Sequence, residues 1–414
     1  MADDILFNEE RAAAIMAKYG LDALIACTPE NVTYSCGAHS RTTSVLRSLN
    51  MPYFVVWPQG GKGILILPRH ELSFLVSQPY WVGEVRTYGD THIMSPRKGV
   101  SLGGDEQRAF DLRMKAPHSP NGVEALRAVL KEQGLTKAKL GLDIRGISPH
   151  TLAIIRDLLP EAKIGDAYRM WREIRAVKTP AEVARLRQAT RINEQALLEV
   201  IRFIEPGVTE ESLWRSYKES VIKQDAFPIY WPSGAGTRSS WFFFPSSYKL
   251  KQNDLIRLDG LCMYELYCSD MGTTGVVGNK PDKLQAARHA ALRAGVDEAL
   301  RVIRPGVLAS EVGQAVMRAV QTEGISAYKR PYCGHGLGLE PHELPIIWPT
   351  PRLEESWVWE SGAEDMVLEE NMVLNIEAPY YELGHGGYQL EVPVIVTKKG
   401  CEPLSHLGLE MFTK

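Results

Sequence analysis

The sequence predicts an α/β protein in two parts: an open α/β layer over residues 1–165, then a second α/β part over residues 166–414. Three observations carry that expectation. Helical and strand-like stretches alternate along the first part, the pattern of an open layer. A helix–Pro-Gly–helix punctuation occurs twice in the second, with Pro206 and Pro305 standing 99 residues apart. Each repeat is followed by apolar, strand-like runs that carry acids, Asp259 and Asp270 after the first, Glu377 and Glu391 after the second. Two similar halves facing each other would bring both acid pairs to one seam. A duplicated helix–loop–helix without that symmetry satisfies the echo equally.

In chain order, residues 9–20 read as a helix closed by Gly20. Residues 21–26 follow as a buried strand. Residues 52–57 and 63–67 flank Pro-Gln-Gly-Gly-Lys and form a hairpin. Residues 91–120, rich in Gly, Pro and charge, read as an irregular surface excursion. Then come a helix over 121–133, a strand over 139–143, a helix over 149–159 and a short strand near Ile164. A long amphipathic helix starts at Thr179, where Thr-Pro-Ala-Glu supplies an N-cap, a first-position proline and a first-turn acid.

Composition removes several function classes. The 414 residues carry a formal net charge of −3, so no basic excess recruits nucleic acid or an anionic membrane. No apolar run approaches the ~20 residues of a membrane span. The acidic start, Met-Ala-Asp-Asp-Ile-Leu, does not read as a secretory leader. Six scattered cysteines without Cys-x-x-Cys spacing point to reduced thiols and a cytoplasmic protein.

Chemistry concentrates between Leu255 and Glu391. Asp259, Asp270, Glu377 and Glu391 each lie in or beside an apolar run, where a carboxylate is costly to bury without a partner. With His335 they make a hard, oxygen-rich donor set suited to divalent Mn, Co, Fe or Zn. Four carboxylates and a neutral histidine carry about −4, which two divalent ions would neutralise. Taken singly, each acid is more often a salt-bridge partner or a cap; the ordered set is what asks for a shared cation.

These residues resemble the creatinase / aminopeptidase P / methionine aminopeptidase group, with its pseudo-twofold "pita-bread" catalytic domain. The likeness rests on two aspartates eleven residues apart, Asp259 and Asp270, the second in Tyr267-Cys-Ser-Asp270. It continues with Gly334-His335-Gly-Leu-Gly338, His342-Glu-Leu-Pro345, Glu377-Ala-Pro and the strand-borne Glu391. Val177-Lys-Thr-Pro-Ala-Glu182 resembles the usual opening of the catalytic domain. Asn31-Val-Thr-Tyr34-Ser-Cys-Gly37 resembles the N-terminal domain of the creatinase and proline-peptidase branch, which sets methionine aminopeptidases aside. The resemblance implies that Asp259 chelates one of two divalent ions, Asp270 and Glu391 bridge both, and His335 and Glu377 hold the other. It further implies that Glu377 shuttles a proton for a metal-activated hydroxide and that His342 hydrogen-bonds the substrate.

Departures from the group's pattern concern the substrate. Trp241 stands where a histidine usually guards the entrance, followed by Phe242-Phe-Phe244. Gln389 replaces an arginine usual in proline-specific members, and Ser-Asp-x-Thr-Arg-Thr becomes Ser269-Asp270-Met-Gly-Thr-Thr274. Trp231, Trp241, Phe242 and the insert with Trp348, Trp357 and Trp359 could hold a flat or cationic molecule, or fill core or a dimer interface. The expectation is a dinuclear, metal-dependent hydrolase of the proline-peptidase type acting on a short peptide. The alternative is a non-peptide hydrolase like creatinase, or a metal-dependent lyase. A binding module on this scaffold is a third class, against which the full ligand set speaks. Members of this branch are often homodimers, and Ser40–Arg47 is a candidate contact loop.

Overall fold

In the computed structural model, which describes residues 5–39, 49, 51–350, 365–405, 407 and 409–414, the chain forms two units, Met1–Arg175 and Ala176–Lys414. The Ser40–Arg47 loop, Trp357 and Trp359 lie outside the described residues.

The first unit is built on seven strands: β1 (Ala23–Ala26), β2 (Phe54–Pro58), β3 (Ile64–Pro68), β4 (Glu84–Tyr88), β5 (His118–Ser119), β6 (Lys139–Leu142) and β7 (Lys163–Asp166). They form one sheet in the order β5-β4-β3-β2-β1-β6-β7. The expected hairpin is β2–β3, with Val55 opposite Leu65. β1 pairs antiparallel with β2 and parallel with β6. The alternating helices are where the sequence puts them: Glu9–Tyr19 capped by Asn8 and Gly20, Gly122–Glu132 capped by Asn121, and Pro149–Leu158 capped by Ser148. Leu126, Val129 and Leu130 of the second pack with Ile25, Phe54, Val56 and Ile66 of the sheet.

One local expectation differs from the structure. Residues 91–120 are not irregular throughout: Gly104–Lys115 is a helix, and His118–Ser119 joins the sheet edge beside β4. This helix buries no residue fully, so it lacks the apolar stripe by which a helix is read from sequence. Acids in its first turn and bases in its last favour it instead. The Asn31–Gly37 motif forms the helix Pro29–Cys36, ended by Gly37. Its Asn31 is fully buried, donating through Nδ2 to Asp143 Oδ2 at 2.7 Å and accepting from Arg175. Asp143 also accepts from the Thr28 hydroxyl at 2.7 Å and the Thr28 amide at 2.8 Å. Asn31 of the motif, with Thr28 before it, therefore satisfies one oxygen of a buried carboxylate.

The second unit has the two-half construction that the echo suggests, and it is the pita-bread arrangement. Helices Pro180–Phe203 and Glu210–Ile222 precede one five-stranded sheet. Lys283–Val302 and Ala309–Thr322 precede another. The first helix begins with a full capping box between Thr179 and Glu182. The first sheet holds β8 (Phe227–Tyr230), β9 (Gly234–Ala235), β10 (Leu255–Tyr264), β11 (Tyr267–Val276) and the late strand β19 (Phe412–Thr413). The second holds β12 (Gly334–Gly336), β13 (Glu343–Ile346), β14 (Val373–Glu377), β17 (Glu391–Val396) and β18 (Cys401–Pro403). Between β14 and β17 run the paired strands β15 (Tyr380–Glu382) and β16 (Gly386–Tyr388). The sheets meet where the Thr274 hydroxyl donates to the Gln389 carbonyl at 2.9 Å and accepts from its amide at 2.8 Å.

His289, on the third of these helices, is buried with Nε2 lacking a partner. Burial, reinforced by Arg293 and opposed by Glu410, pushes its pKa down to about 4. A folded-state value below the unfolded ~6.5 means its contribution is present above pH 6.5 and lost as pH falls towards 4. Between pH 7 and 4.5 the wild type should lose roughly 2 kcal/mol more stability than His289→Gln, read from urea midpoints.

Candidate metal centre

The centre is assembled from the strand pairs of both halves of the second unit. β10 and β11, ten residues each, form a hairpin in which Asp259 faces Gly272 and Leu261 faces Asp270. Strand alternation puts Arg257, Asp259 and Asp270 on one face. In the other half Glu377 of β14 lies directly opposite Glu391 of β17, and His335 of β12 pairs with Asn375. Gly272 is what lets the two halves close: a Cβ there would lie 2.8 Å from Glu391 Oε2 and 2.1 Å from Gln389 Cγ. Gly334 has φ +149°, and a Cβ on it would meet the Asn375 carbonyl at 2.3 Å. The Gly-His-Gly motif is thus the price of threading β12 between two neighbours.

All five expected ligands are buried. Donor atoms of Asp259, Asp270 and Glu391 lie within 4.8 Å of one another, as do those of Asp270, His335 and His342. His335 Nε2 is 3.7 Å from Asp270 Oδ2, while its Nδ1 lies 3.0 Å from the Gly336 carbonyl, which fixes the ring's orientation. Glu391 accepts from Asn375 Nδ2 at 2.6 Å and Gln389 Nε2 at 3.3 Å. Asp270 Oδ1 is buried without a partner.

The electrostatics ask for a cation. Burial pushes Asp259 up to about 7, with Glu377 adding to the rise and Arg257 opposing it. Burial and then the neighbouring carboxylates hold Asp270 and Glu391 well above the usual carboxylate range. Glu377 is raised by burial against the pull of Arg330. Like charges crowded out of water are stable only when protonated or bridged by a positive ion. Hard carboxylate oxygens, one imidazole and an orphaned buried oxygen fit divalent metal.

The remaining expected residues are distributed as follows. His342 sits edge-on to His335, ring centroids 4.0 Å apart. Trp241 and Phe242 are 53% and 55% exposed, on the loop after Ser240. Gln389 is buried, and its Oε1 accepts from the Tyr381 hydroxyl at 3.0 Å. Trp231 stacks with Trp214 in the core of the first half, and Trp348 is buried near Tyr332.

Three charged partners were not among the expected residues. Arg257 Nη1 lies 3.6 Å from Asp259 Oδ2, and Arg330 Nη2 donates to Glu377 Oε2 at 3.1 Å. Lys178 Nζ and Glu343 Oε2 form a fully buried ion pair at 2.6 Å. That pair ties the Val-Lys-Thr-Pro-Ala-Glu opening to the residue after His342. Arg257 was findable, because a strand residue two before Asp259 shares its face. Arg330 carries no local signal, and Lys178, although inside that opening motif, gives no sign in sequence of its distant partner.

Comparison with known proteins agrees with this geometry. Residues 10–177 match the Creatinase/Prolidase N-terminal domain, and residues 184–398 match Metallopeptidase family M24. An uncharacterized peptidase of Staphylococcus aureus (strain MSSA476) is 24% identical over 393 residues, covering 93% of this chain and 95% of the relative. The dipeptidase PepE from Mycobacterium ulcerans is similar in structure, with a TM-score of 0.75, 22% identity and coverage of 98% of this chain and 96% of that one. The X-Pro aminopeptidase from Thermotoga maritima MSB8 gives 0.72 at 21% identity, covering 98% and 99%. The prolidase from Pyrococcus horikoshii OT3 gives 0.71 at 20%, with the same coverage. With paired acids and a histidine buried at the seam of its two halves, and more than half its length matched, the chain belongs to Metallopeptidase family M24, with a Creatinase/Prolidase N-terminal domain before it.

Proposed function

We propose that this protein is a metal-dependent hydrolase cleaving a C–N bond next to a carbonyl in a short peptide or a comparably small molecule. The observation that carries the reading is the pair of donor groups sharing buried Asp270, one with Asp259 and Glu391 and one with His335 and His342, with Glu377 buried opposite Glu391 on the neighbouring strand. Two divalent ions (Mn, Co, Fe or Zn) held by Asp259, Asp270, His335, Glu377 and Glu391 would supply Lewis acidity and acidify a water. Glu377 is the general base, taking the proton on a carboxylate oxygen; its raised pKa suits it to hold and release that proton. His342, beside His335, donates a hydrogen bond to the substrate's carbonyl oxygen as charge develops there. Trp241 and Phe242 offer exposed ring faces for the non-reacting part of the substrate.

Similar solved structures carry the names dipeptidase, X-Pro aminopeptidase and prolidase, which supports a peptide substrate. Gln389 and the ring wall support the second reading, a non-peptide amide or amidine, or a lyase substrate, on the same centre. Xaa-Pro dipeptides should be poor substrates, because the Gln389 amide cannot pair a carboxylate as a guanidinium does. High turnover of Ala-Pro would restore the plain peptidase reading. A panel of dipeptides, cyclic amidines and betaine-like compounds, assayed with each of the four metals, decides between the two. A cytoplasmic homodimer is part of the same proposal; gel filtration at monomer size would count against it.

A further inference from the structure

A cavity of about 350 Å³ lies in the first unit, bounded by the short helix Leu72–Val76, the helix Gly104–Lys115 and part of the segment 91–102. Its walls are mostly aliphatic, from Leu72, Val76, Ile93, Met94 and Leu102, with one ring, Phe110. Such a volume falls within the range of small-molecule sites, and walls of this kind give water few partners. Two half-buried arginines, Arg69 and Arg113, share the lining. Arg69 Nη2 donates to the Arg113 carbonyl at 2.9 Å, and Arg113 Nη1 donates to the Ile93 carbonyl at 2.7 Å. These bonds fix both guanidiniums without neutralising them, and among the described residues neither has an ion-pair partner. Arg69 Nε is buried with no acceptor. The other titratable groups of the lining do not answer these charges. Asp105 pairs with Arg108 and, like Glu106, is exposed, while His70 lies 3.9 Å from Glu71.

An aliphatic cavity with two unpaired guanidiniums in its wall asks for a molecule with an apolar chain and one anionic end. We propose that it binds a medium-length aliphatic carboxylate. The carboxylate accepts from Arg69 Nε, the buried donor that lacks an acceptor, and Arg113 adds a second positive charge beside it. The chain lies along Leu72, Val76 and Leu102, where removing it from water supplies the rest of the affinity. A cationic head is repelled by both arginines, and an uncharged one gives up the charge-assisted bond. The site draws no residue from the metal centre, so the two readings stand or fall separately.

The test is calorimetric titration of chelator-treated, full-length protein with octanoate, 1-octanol and octylammonium. Octanoate should bind saturably at one equivalent, roughly tenfold or more tighter than octanol, the worth of a hydrogen bond to a charged group. Octylammonium should bind more weakly than either. Arg69→Met should remove the margin of octanoate over octanol and leave octanol as it was. Ala109→Phe, on a helix with no fully buried residue, fills the cavity and should abolish binding of both. Thermal melts check that both variants are folded. No saturable octanoate binding by the wild type would overturn the proposal, and needs no variant to fold. Octanol binding as tightly as octanoate would overturn the carboxylate, and octanoate binding undiminished in Ala109→Phe would overturn the site. Octanoate binding that requires added Mn(II) would move the carboxylate to the metal centre and equally overturn the proposal.

Discussion

Asp270→Ala should lower turnover by on the order of 10³-fold or more while the protein stays folded. Asp270 contributes to both donor clusters, so its loss dismantles the centre as a whole. The fold survives because the variant deletes a buried carboxylate, one of whose oxygens has no partner, from among others of like charge. The pH dependence follows in sign. The folded-state pKa of Asp270 lies above its unfolded value, so its contribution is present below about pH 4 and lost as pH rises through the folded value. Without added metal, the variant should melt higher than wild type, and its advantage should grow from pH 5 to pH 8. Thermal melts at both values, with and without Mn(II), read this beside kcat. Activity retained within about tenfold of wild type would remove Asp270 from the centre.

Lys178→Met should cost about 3–5 kcal/mol, the largest stability effect expected in the second unit. Both partners of the Lys178–Glu343 pair are fully buried, so the variant strands a carboxylate in the interior. Glu182 stands close by, accepting from the Tyr267 hydroxyl at 3.2 Å; burial pushes it up to about 7 despite the opposing pull of Lys178. Removing the ammonium raises Glu182 further. The double variant Lys178→Met, Glu343→Met should regain most of the loss, since it is the unpaired charge that costs. Because Glu343 follows His342, the single variant should also lower kcat. A denaturation midpoint unchanged in Lys178→Met would show the pair to be dispensable.

Much of this was legible in the chain. Asp259 and Asp270 announce strands because apolar, strand-like runs lead into both; that the two strands pair as a hairpin is seen only in the structure. Thr179 and Glu182 announce a helix start because capping is local chemistry. What escaped was decided at a distance. The Gly104–Lys115 helix is too polar to show a buried stripe. Lys178 meets Glu343 across 165 residues, and Arg330 meets Glu377 across 47. No spacing rule reaches such pairs, because the turns that bring them together are set by the packing of both halves. Gln389 reads as a lost arginine in sequence; in the structure its amide braces Glu391, while the two guanidiniums enter from β10 and from the loop before β12.

The expected ligands come in near-equal shares from two sheets, so an ion held there would be a reporter of chain integrity. An unfolded chain scatters those donors, so such an ion would bind the native state in strong preference. By mass action, metal at 100 times its dissociation constant would add about 2.7 kcal/mol to the unfolding free energy. Chelator should therefore act on this protein as a mild denaturant as well as an inhibitor, lowering the temperature at which the second unit opens. Purification or storage in chelating buffers would select for aggregated material rather than for a dormant enzyme.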